Sequence, residues 1–292
     1  MDSMLIDTHC HLNFQAFQND ADEVIQRCLD NDVWIVNVGS QLETSQRAIE
    51  LAEKYPEGVY AVVGLHPIHV TGSLMKNRLD PEELIAQEGM KEFNIDDYRR
   101  LTASPKVVAI GEIGLDYYYK PKTKAKLEKF KSLQRQALIQ QIDLAQELNL
   151  PVAFHCRAAH EDLIEILKLK AQNSKLKTTT QNLKLRGVIH CFTGTLEQAQ
   201  EYLALGLYLG FTGIIFKQIP GLDWAEIIQT CPLERMLVET DAPYLTPPAA
   251  GKERNEPIFV KYVVEEIARI RNLSYQEVSE ITTQNARRLF NI

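Results

Sequence analysis

The stretch 4–12, MLIDTHCHL, places an apolar run directly in front of two histidines. Met4 to Ile6 has the continuous hydrophobic character of a short strand that is buried on both faces. His9 and His11 lie two positions apart, so on an extended segment both side chains leave the same face and can hold one ion. The intervening Cys10 then points the opposite way. A buried strand with polar residues at its carboxyl end is the pattern on which the fold prediction rests.

Seven more apolar runs of the same kind follow along the chain. They are Val33 to Val38, Val59 to Leu65, Val107 to Ile110, Val152 to Phe154, Gly187 to Ile189, Leu207 to Phe211 and Met236 to Val238. Helical patterns separate these runs, and the clearest carries apolar residues three and four apart between Phe130 and Leu148. Eight buried strands that alternate with helices predict an α/β fold, a closed (β/α)8 TIM barrel, with an open doubly wound sheet as the alternative.

The chain is predicted to form one barrel domain over residues 1–292, with two more helices at Pro257 to Arg271 and at Ser274 to Phe290. Two connections are long. The region 67–106 follows a strand, so its first part emerges on the catalytic face and is a candidate substrate-contacting loop. The lysine-containing stretch 168–186 is expected at the opposite face as a solvated surface loop, with a nucleic-acid patch as the alternative.

Charge and composition limit the classes of function. Lys and Arg total 32 against 39 Asp and Glu, which gives a formal charge of −7 that repels polyanions at long range. A nucleic-acid substrate must therefore be held by local positive charge. The chain has neither a run of about 18 apolar residues nor a signal-peptide pattern, so we expect a cytoplasmic protein with no membrane partner. No obligate protein partner is evident.

Histidines and acids recur where the predicted strands end. They are His9 and His11 after the first strand, Glu112 after the fourth, His155 after the fifth, His190 after the sixth and Asp241 after the eighth. In a parallel barrel these ends converge on one rim, where barrel enzymes place their active sites. Four imidazoles and two carboxylates suit two divalent ions that share a bridging carboxylate. Such mixed ligands fit Zn²⁺, Mn²⁺ or, less comfortably, Mg²⁺.

Two residues near the same rim are candidate contacts for a substrate anion. His66 follows the third strand, where it can contact a phosphate or orient the turn before Pro67. Arg157 shares the face of His155 and is predicted to meet an anion. The alternative for Arg157 is an ion pair with a rim carboxylate such as Asp7.

Further candidates for substrate binding lie in the loops. Lys252 and Arg254, after the eighth strand, can supply the local positive charge that the whole chain lacks. Tyr117, Tyr118 and Phe192 can stack on bases, which would favour single strands, and ordinary packing is the alternative.

Seven segments carry a resemblance to a known family. In chain order they are IDTHCHLNF, VGLHP, AIGEIGLDYYY, PVAFHCRAAHEDLIEIL, GVIHCFTG, LVETDAPYLTP and GKERNEPIFV. The series resembles the TatD family of metal-dependent deoxyribonucleases from Met4 to the C-terminus, and it is far more specific than a lone HxH motif. Relative to that family, the connection between the third and fourth strands is longer, and residues 168–186 resemble an insertion.

The resemblance implies a barrel of the amidohydrolase type with a dinuclear site. His9, His11 and Asp241 would hold one ion, His155 and His190 the other, with Glu112 between them. TatD-like proteins are described as 3′→5′ exonucleases on DNA that use Mg²⁺ or a similar ion, which implies single-stranded DNA or 3′ ends as the substrate. Some relatives are credited with removing D-amino acids from tRNA.

The resulting hypothesis is hydrolysis of phosphodiesters by a two-metal mechanism, with Asp241 as the acceptor of the water's proton and Glu112 as the bridging carboxylate. One alternative is a D-aminoacyl-tRNA deacylase, and another is a hydrolase of small amides or esters, because the fold alone does not separate these activities. Amidohydrolase-type relatives that cleave cyclic amides resemble one another in a bridging modified lysine. Glu112 at that place favours phosphodiester chemistry. A scaffold that only binds metal would not need six ligands at a barrel rim.

Overall fold

The computed structural model describes residues 4–74, 92–176 and 185–292. Within them, eight strands form one sheet in which each strand pairs in parallel with the next along the chain. The strands are β1 (Leu5–Cys10), β2 (Val33–Val38), β3 (Val59–Val63), β4 (Val107–Asp116), β5 (Val152–Arg157), β6 (Gly187–Ile189), β7 (Tyr208–Phe211) and β8 (Met236–Val238). This topology confirms the predicted (β/α)8 barrel.

Helices connect the strands and cover the outside of the sheet. They are α1 (Ala21–Leu29), α2 (Leu42–Glu53), α3 (Pro67–Val70), α4 (Ile95–Leu101), α5 (Lys124–Glu147), α6 (His160–Leu176), α7 (Leu196–Ala204), α8 (Trp224–Thr230), α9 (Val260–Arg271) and α10 (Tyr275–Phe290). A capping box starts α10, since Ser274 Oγ accepts from Glu277 N at 3.2 Å and Glu277 Oε2 accepts from Ser274 N at 2.8 Å. None of the helices described here has the length and apolar character that a membrane span requires.

The barrel closes through the segment that follows β8. Asp241 N donates to His9 O at 2.8 Å, and His11 N donates to Ala242 O at 2.7 Å. Thr8 Oγ1 adds a bond to Val238 O at 3.1 Å. These bonds join the first and last strands, so closing the barrel also brings Asp241 beside the two histidines of β1.

A small apolar cluster fills the barrel interior at the end opposite the strands' carboxyl ends. Each strand contributes to it through Ile6, Val36, Val38, Val62, Val108, Ala109, Ala153, Val188, Tyr208 or Leu237. Leu289 and Phe290 of α10 pack against this cluster. Asn285 Nδ2 donates to Leu233 O and Met236 O at 2.8 and 2.9 Å, which fixes α10 to the start of β8. Helix α10 therefore seals the amino-terminal end of the barrel and leaves the other end for function.

Strand β4 is longer than the run Val107 to Ile110 predicts. Its register with β5 shifts between Ile110 and Ile113, and the residues from Ile113 to Asp116 pair with β5 beyond that shift. Glu112 lies at this irregularity, not at the end of the strand. Such bulges commonly redirect a side chain next to an active site. The predicted boundary was wrong because Gly111 and Glu112 interrupt the apolar pattern, whereas the strand resumes its pairing with β5 at Ile113.

The two long connections are only partly described. Residues 168–176 belong to α6, so the prediction of a surface loop there was wrong. The apolar face of this helix continues through Ile166 and Leu167, which are buried. The rest of the predicted insertion, 177–184, lies outside the described residues. In the region 67–106 the structure shows α3, a 3-10 turn at Gly72–Leu74 and α4, while 75–91 lie outside the described residues.

Candidate metal centre

The carboxyl ends of the strands bring polar side chains to one cavity of about 370 Å³. Its wall contains His11, His66, Glu112, His155, His190 and Asp241 among others. His9 lies beneath them and is fully buried, with its ring stacked on that of His190 at a centroid distance of 3.3 Å. The structure therefore brings together all six ligands that the sequence predicts, although they span more than 230 positions of the chain.

Glu112 lies at the centre of the histidines. Its Oε1 is 2.7 Å from His155 Nδ1 and 3.6 Å from His66 Nε2. Its Oε2 is 3.5 Å from His9 Nε2 and 3.9 Å from His11 Nε2. Each carboxylate oxygen thus faces a different pair of imidazoles. A carboxylate that bridges two cations has this arrangement.

Asp241 approaches the same centre from the other side. Its Oδ1 is 3.4 Å from His11 Nε2 and 3.5 Å from His190 Nε2. Oδ2 has no hydrogen-bond partner among the described residues. The backbone of Asp241 has a φ of 58°, a left-handed conformation that aspartate and asparagine adopt more readily than most residues. The bond from Asp241 N to His9 O holds this conformation in place.

Three sets of side chains lie close enough to bind a cation. They are His9, His190 and Asp241; His9, His11 and Glu112; and His66, Glu112 and His155. The resemblance assigned His190 to the same ion as His155, whereas the structure groups His190 with His9 and Asp241. It also places His66, predicted as a substrate contact, beside Glu112 and His155.

His9 provides an observation that fits a bound cation. Both ring nitrogens are buried without a hydrogen-bond partner among the described residues. Buried polar atoms almost always have a partner, so the unpaired ring nitrogens of His9 beside Glu112 and Asp241 fit a side chain that binds a cation. Nitrogen and carboxylate donors converging on one point are also the donor set of divalent transition metals.

The carboxyl groups of the site are ionised. Burial would raise the pKa of Glu112, but the hydrogen bond and the charge of His155 hold that pKa well below its usual range. Burial would likewise raise the pKa of Asp241, and His190 is the main group that lowers it below the usual value. Two anionic carboxylates in a buried cavity are strongly stabilised by a divalent cation.

The histidines differ in protonation. Burial lowers the pKa of His9 to about 4 and that of His66 to about 3, so both rings are neutral near neutral pH and can donate a lone pair. Burial also opposes protonation of His155, but its contacts with Asp116 and Glu112 outweigh burial and raise its pKa to about 9, so a cation that binds His155 must displace this proton.

Three of the candidate ligand histidines have an orienting partner behind them. His190 Nδ1 lies 2.8 Å from Glu239 Oε2, and His155 Nε2 lies 3.2 Å from Asp116 Oδ2. His11 Nδ1 lies 2.8 Å from the carbonyl of Val38. Such partners fix the tautomer and orientation of a ligating imidazole. Glu239 and Asp116 were not predicted from the sequence, although each lies close in sequence to a predicted ligand, on β4 or just after β8.

Glu239 is held tightly against the neighbouring strand. Its Oε2 also accepts from Cys191 N at 3.0 Å, and the side chain is fully buried. A β-carbon at Gly210 would lie 2.3 Å from Glu239 Oε1. The missing side chain of Gly210 therefore provides the space in which the carboxylate reaches His190.

We expect Glu239→Gln to weaken binding of Mn²⁺ or Zn²⁺ by about 10- to 100-fold, because the amide removes the negative charge that supports His190. Gly210→Ala should act in the same direction by displacing the carboxylate. Isothermal titration calorimetry measures the affinity, and circular dichroism verifies the fold.

The matched control is Glu234→Gln, which makes the same change at an exposed position shortly before β8. Unchanged metal affinity in Glu239→Gln relative to this control would show that Glu239 does not support the ligand.

Two of the four predicted substrate contacts line the cavity. His66 Nδ1 accepts from Ile68 N at 3.2 Å, so this side chain orients the turn at Pro67, which was one of its two predicted roles. Its Nε2 faces Glu112. Arg157 Nε and Nη2 donate to Asp116 Oδ2 at 2.9 and 2.7 Å. Its ion pair is with Asp116 and not with Asp7, which instead binds Thr240.

The other two contacts lie outside the cavity wall. Lys252 is exposed, and Arg254 donates to Asp20 Oδ2 at 2.6 Å and to Glu256 Oε1 at 3.3 Å. These carboxylates neutralise the guanidinium, which is therefore not directed at the predicted ligands.

Of the three aromatic candidates for base stacking, only Tyr118 is accessible. Phe192 is fully buried, and Tyr117 is buried with its hydroxyl donating to Asp162 Oδ2 at 2.9 Å. These two rings therefore pack in the protein interior, which was the alternative to base stacking. Tyr118 has 59% of its surface exposed.

Comparison with known proteins matches nearly the whole chain to one protein family. A sequence model of the TatD-related DNase family matches residues 6–291. The chain is 38% identical over 291 residues to the uncharacterized metal-dependent hydrolase YabD of Bacillus subtilis, covering 99% of this chain and 100% of that protein. It is 36% identical over 295 residues to the 3′-5′ ssDNA/RNA exonuclease TatD of Erwinia tasmaniensis, covering 99% and 100%. YJJV, a TatD homolog from Escherichia coli with a crystal structure, is 28% identical with a TM-score of 0.75, covering 99% and 98%.

Proposed function

This chain belongs to the TatD-related DNase family and is a metal-dependent hydrolase that acts on ester bonds, and from that premise we propose a 3′→5′ exonuclease of single-stranded DNA. The position of Glu112 carries the proposal, because its two oxygens face separate pairs of histidines in one cavity. This geometry supports two divalent ions rather than one, and two such ions suit the displacement at a phosphodiester.

The residues present fit the ions. His9, His11, His190 and Asp241 would hold one ion, His66 and His155 would hold the other, and Glu112 would contact both. When bound, Mg²⁺, Mn²⁺ or Zn²⁺ activates water and neutralises charge that develops on the phosphoryl oxygens.

The protein side chains supply proton transfer and positioning. Asp241 is ionised, and its Oδ2 is free to accept a proton from the attacking water. Arg157 lies at the cavity wall with one guanidinium edge bound by Asp116, and it is placed to contact the phosphate on the substrate side. Asp116 orients both Arg157 and His155, so one carboxylate links phosphate binding to the ligand set.

Digestion of single-stranded DNA labelled at its 5′ end tests this function. With Mg²⁺ or Mn²⁺ we expect a ladder that shortens from the 3′ end, because hydrolysis at the terminal phosphodiester leaves the 5′ label on the remaining strand. A chelator should abolish the ladder, while the far-UV circular dichroism spectrum remains that of a folded barrel.

Intact DNA in the presence of folded, metal-loaded protein would contradict the nuclease proposal. D-Aminoacyl-tRNA and small amides are then the substrates to test on the same protein, since an activated water attacks carbonyl and phosphoryl centres alike.

A further inference from the structure

A lysine-rich segment lies directly after β4. Residues 117–131, YYYKPKTKAKLEKFK, contain six lysines and one glutamate in a chain with a net charge of −7. Five of the lysines are exposed and make no ion pair with a described residue: Lys120, Lys122, Lys124, Lys126 and Lys129. Because the segment follows the carboxyl end of a barrel strand, it emerges on the same face as the candidate metal centre.

The stability of α5 does not account for these lysines. The helix begins at Lys124 with no acidic residue in its first turn, and the side chain of Thr123 makes no capping bond. Lys124 and Lys126 place positive charge at the positive end of the helix dipole, where it is unfavourable. These lysines therefore destabilise the first turn of α5. Their presence there favours a role in binding an anion.

A short series of contacts connects this segment to the metal centre. His155 contacts Asp116 at 3.2 Å, and Asp116 binds Arg157 at 2.7 Å. The guanidinium of Arg157 then lies 4.9 Å from the ring centre of Tyr118 and 5.6 Å from that of Tyr119. Tyr118 is thus separated from a predicted metal ligand by only two side chains.

Exposed aromatic side chains lie next to these lysines in the same segment. Among the described residues, four large hydrophobic side chains are exposed, and two of them are Tyr118 at 59% and Tyr119 at 39%. Their rings meet edge to face at 4.7 Å. Exposed aromatic rings beside a row of lysines are typical of surfaces that bind single-stranded nucleic acid, where bases stack on rings and phosphates meet cations.

We propose that Tyr118, Tyr119, Lys120, Lys122, Lys124 and Lys126, together called the tyrosine–lysine surface, bind the polynucleotide that flanks the bond to be cleaved. A base stacks on Tyr118 while the lysines contact successive phosphates. The occupant is a single strand, because stacking on a side chain requires an unpaired base. This inference rests on the proposed nuclease function and specifies its substrate as a polymer rather than a small ester.

Steady-state cleavage of a 5′-labelled oligothymidylate by the metal-loaded protein tests the surface. Lys122→Gln combined with Lys124→Gln should raise KM about tenfold and leave kcat nearly unchanged. Removing two phosphate contacts should also reduce the slope of log KM against log salt by about 1.4, measured between about 50 and 200 mM NaCl. Tyr118→Ala should raise KM about tenfold, and Tyr118→Phe should restore it, because the ring rather than the hydroxyl stacks.

The matched control is Lys54→Gln combined with Lys106→Gln. It removes the same charge next to the end of α2 and directly before β4, where Lys54 pairs with Asp22 and Lys106 donates to the carbonyl of Pro56. We expect the KM and salt dependence of this control to equal those of the wild type.

The outcomes separate the two proposals. If the wild type cleaves the oligonucleotide and the surface variants behave as the control does, the tyrosine–lysine surface is not the binding site and the nuclease function stands. If the wild type neither cleaves nor binds the oligonucleotide, both the proposed function and this inference are overturned.

Discussion

We expect Glu112→Gln to lower kcat for the proposed oligonucleotide cleavage by on the order of a thousandfold, because a bound metal supplies several kcal/mol of charge stabilisation and this side chain faces both sets of histidines. The amide keeps the shape of the side chain but has only one acceptor oxygen. Its NH₂ group must then face one pair of imidazoles, either His66 with His155 or His9 with His11. One of the two proposed ions would then lose its shared ligand.

Single-turnover cleavage of labelled single-stranded DNA measures this loss, and metal titration shows whether the stoichiometry falls from two ions to one. Glu234→Gln is the control, since it makes the same change at an exposed position. A Glu112→Gln protein that retains wild-type kcat and stoichiometry would falsify the bridging role.

Asp241→Asn should reduce kcat by about 100- to 10,000-fold, the range expected when a general base is removed. Asparagine tolerates the left-handed backbone at this position, where φ is 58°, so the barrel seam remains intact. What is lost is the negative charge beside His11 and His190 together with the proton acceptor at Oδ2.

A second variant, Asp241→Ala, distinguishes the loss of the carboxylate from the strain in the left-handed backbone. It should lose at least as much activity as Asp241→Asn, and it should also unfold at a lower temperature, because alanine in a left-handed conformation costs about 1 kcal/mol. Thermal unfolding and kcat measured on both variants test this ordering. If Asp241→Asn retains kcat, the proton must go to another group.

The barrel and its rim were predictable from the sequence because both depend on local pattern. An apolar run marks a strand, and the residue type that follows the run marks the rim, as MLIDTHCHL shows at the start of β1. His9, Glu112, His155 and Asp241 were found in this way without knowledge of any long-range contact.

Features that depend on contacts between distant elements were not predictable. Glu239 supports His190 only because Gly210 of β7 leaves room for its carboxylate. Arg254 looked available in the sequence, yet it pairs with Asp20, more than 230 positions away. In both cases the partner is chosen by the packing of one loop or strand on another.

Which of the adjacent aromatic residues are buried could not be predicted from the sequence either. Tyr117, Tyr118 and Tyr119 are adjacent and chemically identical, but the first packs inward against Asp162 while the next two face solvent. The end of β4 decides this, because the strand continues to Asp116 and fixes which side chain turns toward the helices.

The seam between β1 and β8 has a consequence for how the protein matures. The two backbone bonds that close the barrel join His9 to Asp241 and His11 to Ala242, so three of the proposed metal ligands come together only when the first and last strands meet. A nascent chain on the ribosome therefore cannot assemble the centre until β8 has emerged, and hydrolytic activity begins only with the completed barrel. A metal ion bound across the seam would hold the first and last strands together. The unfolding temperature of the protein should therefore rise with the metal concentration.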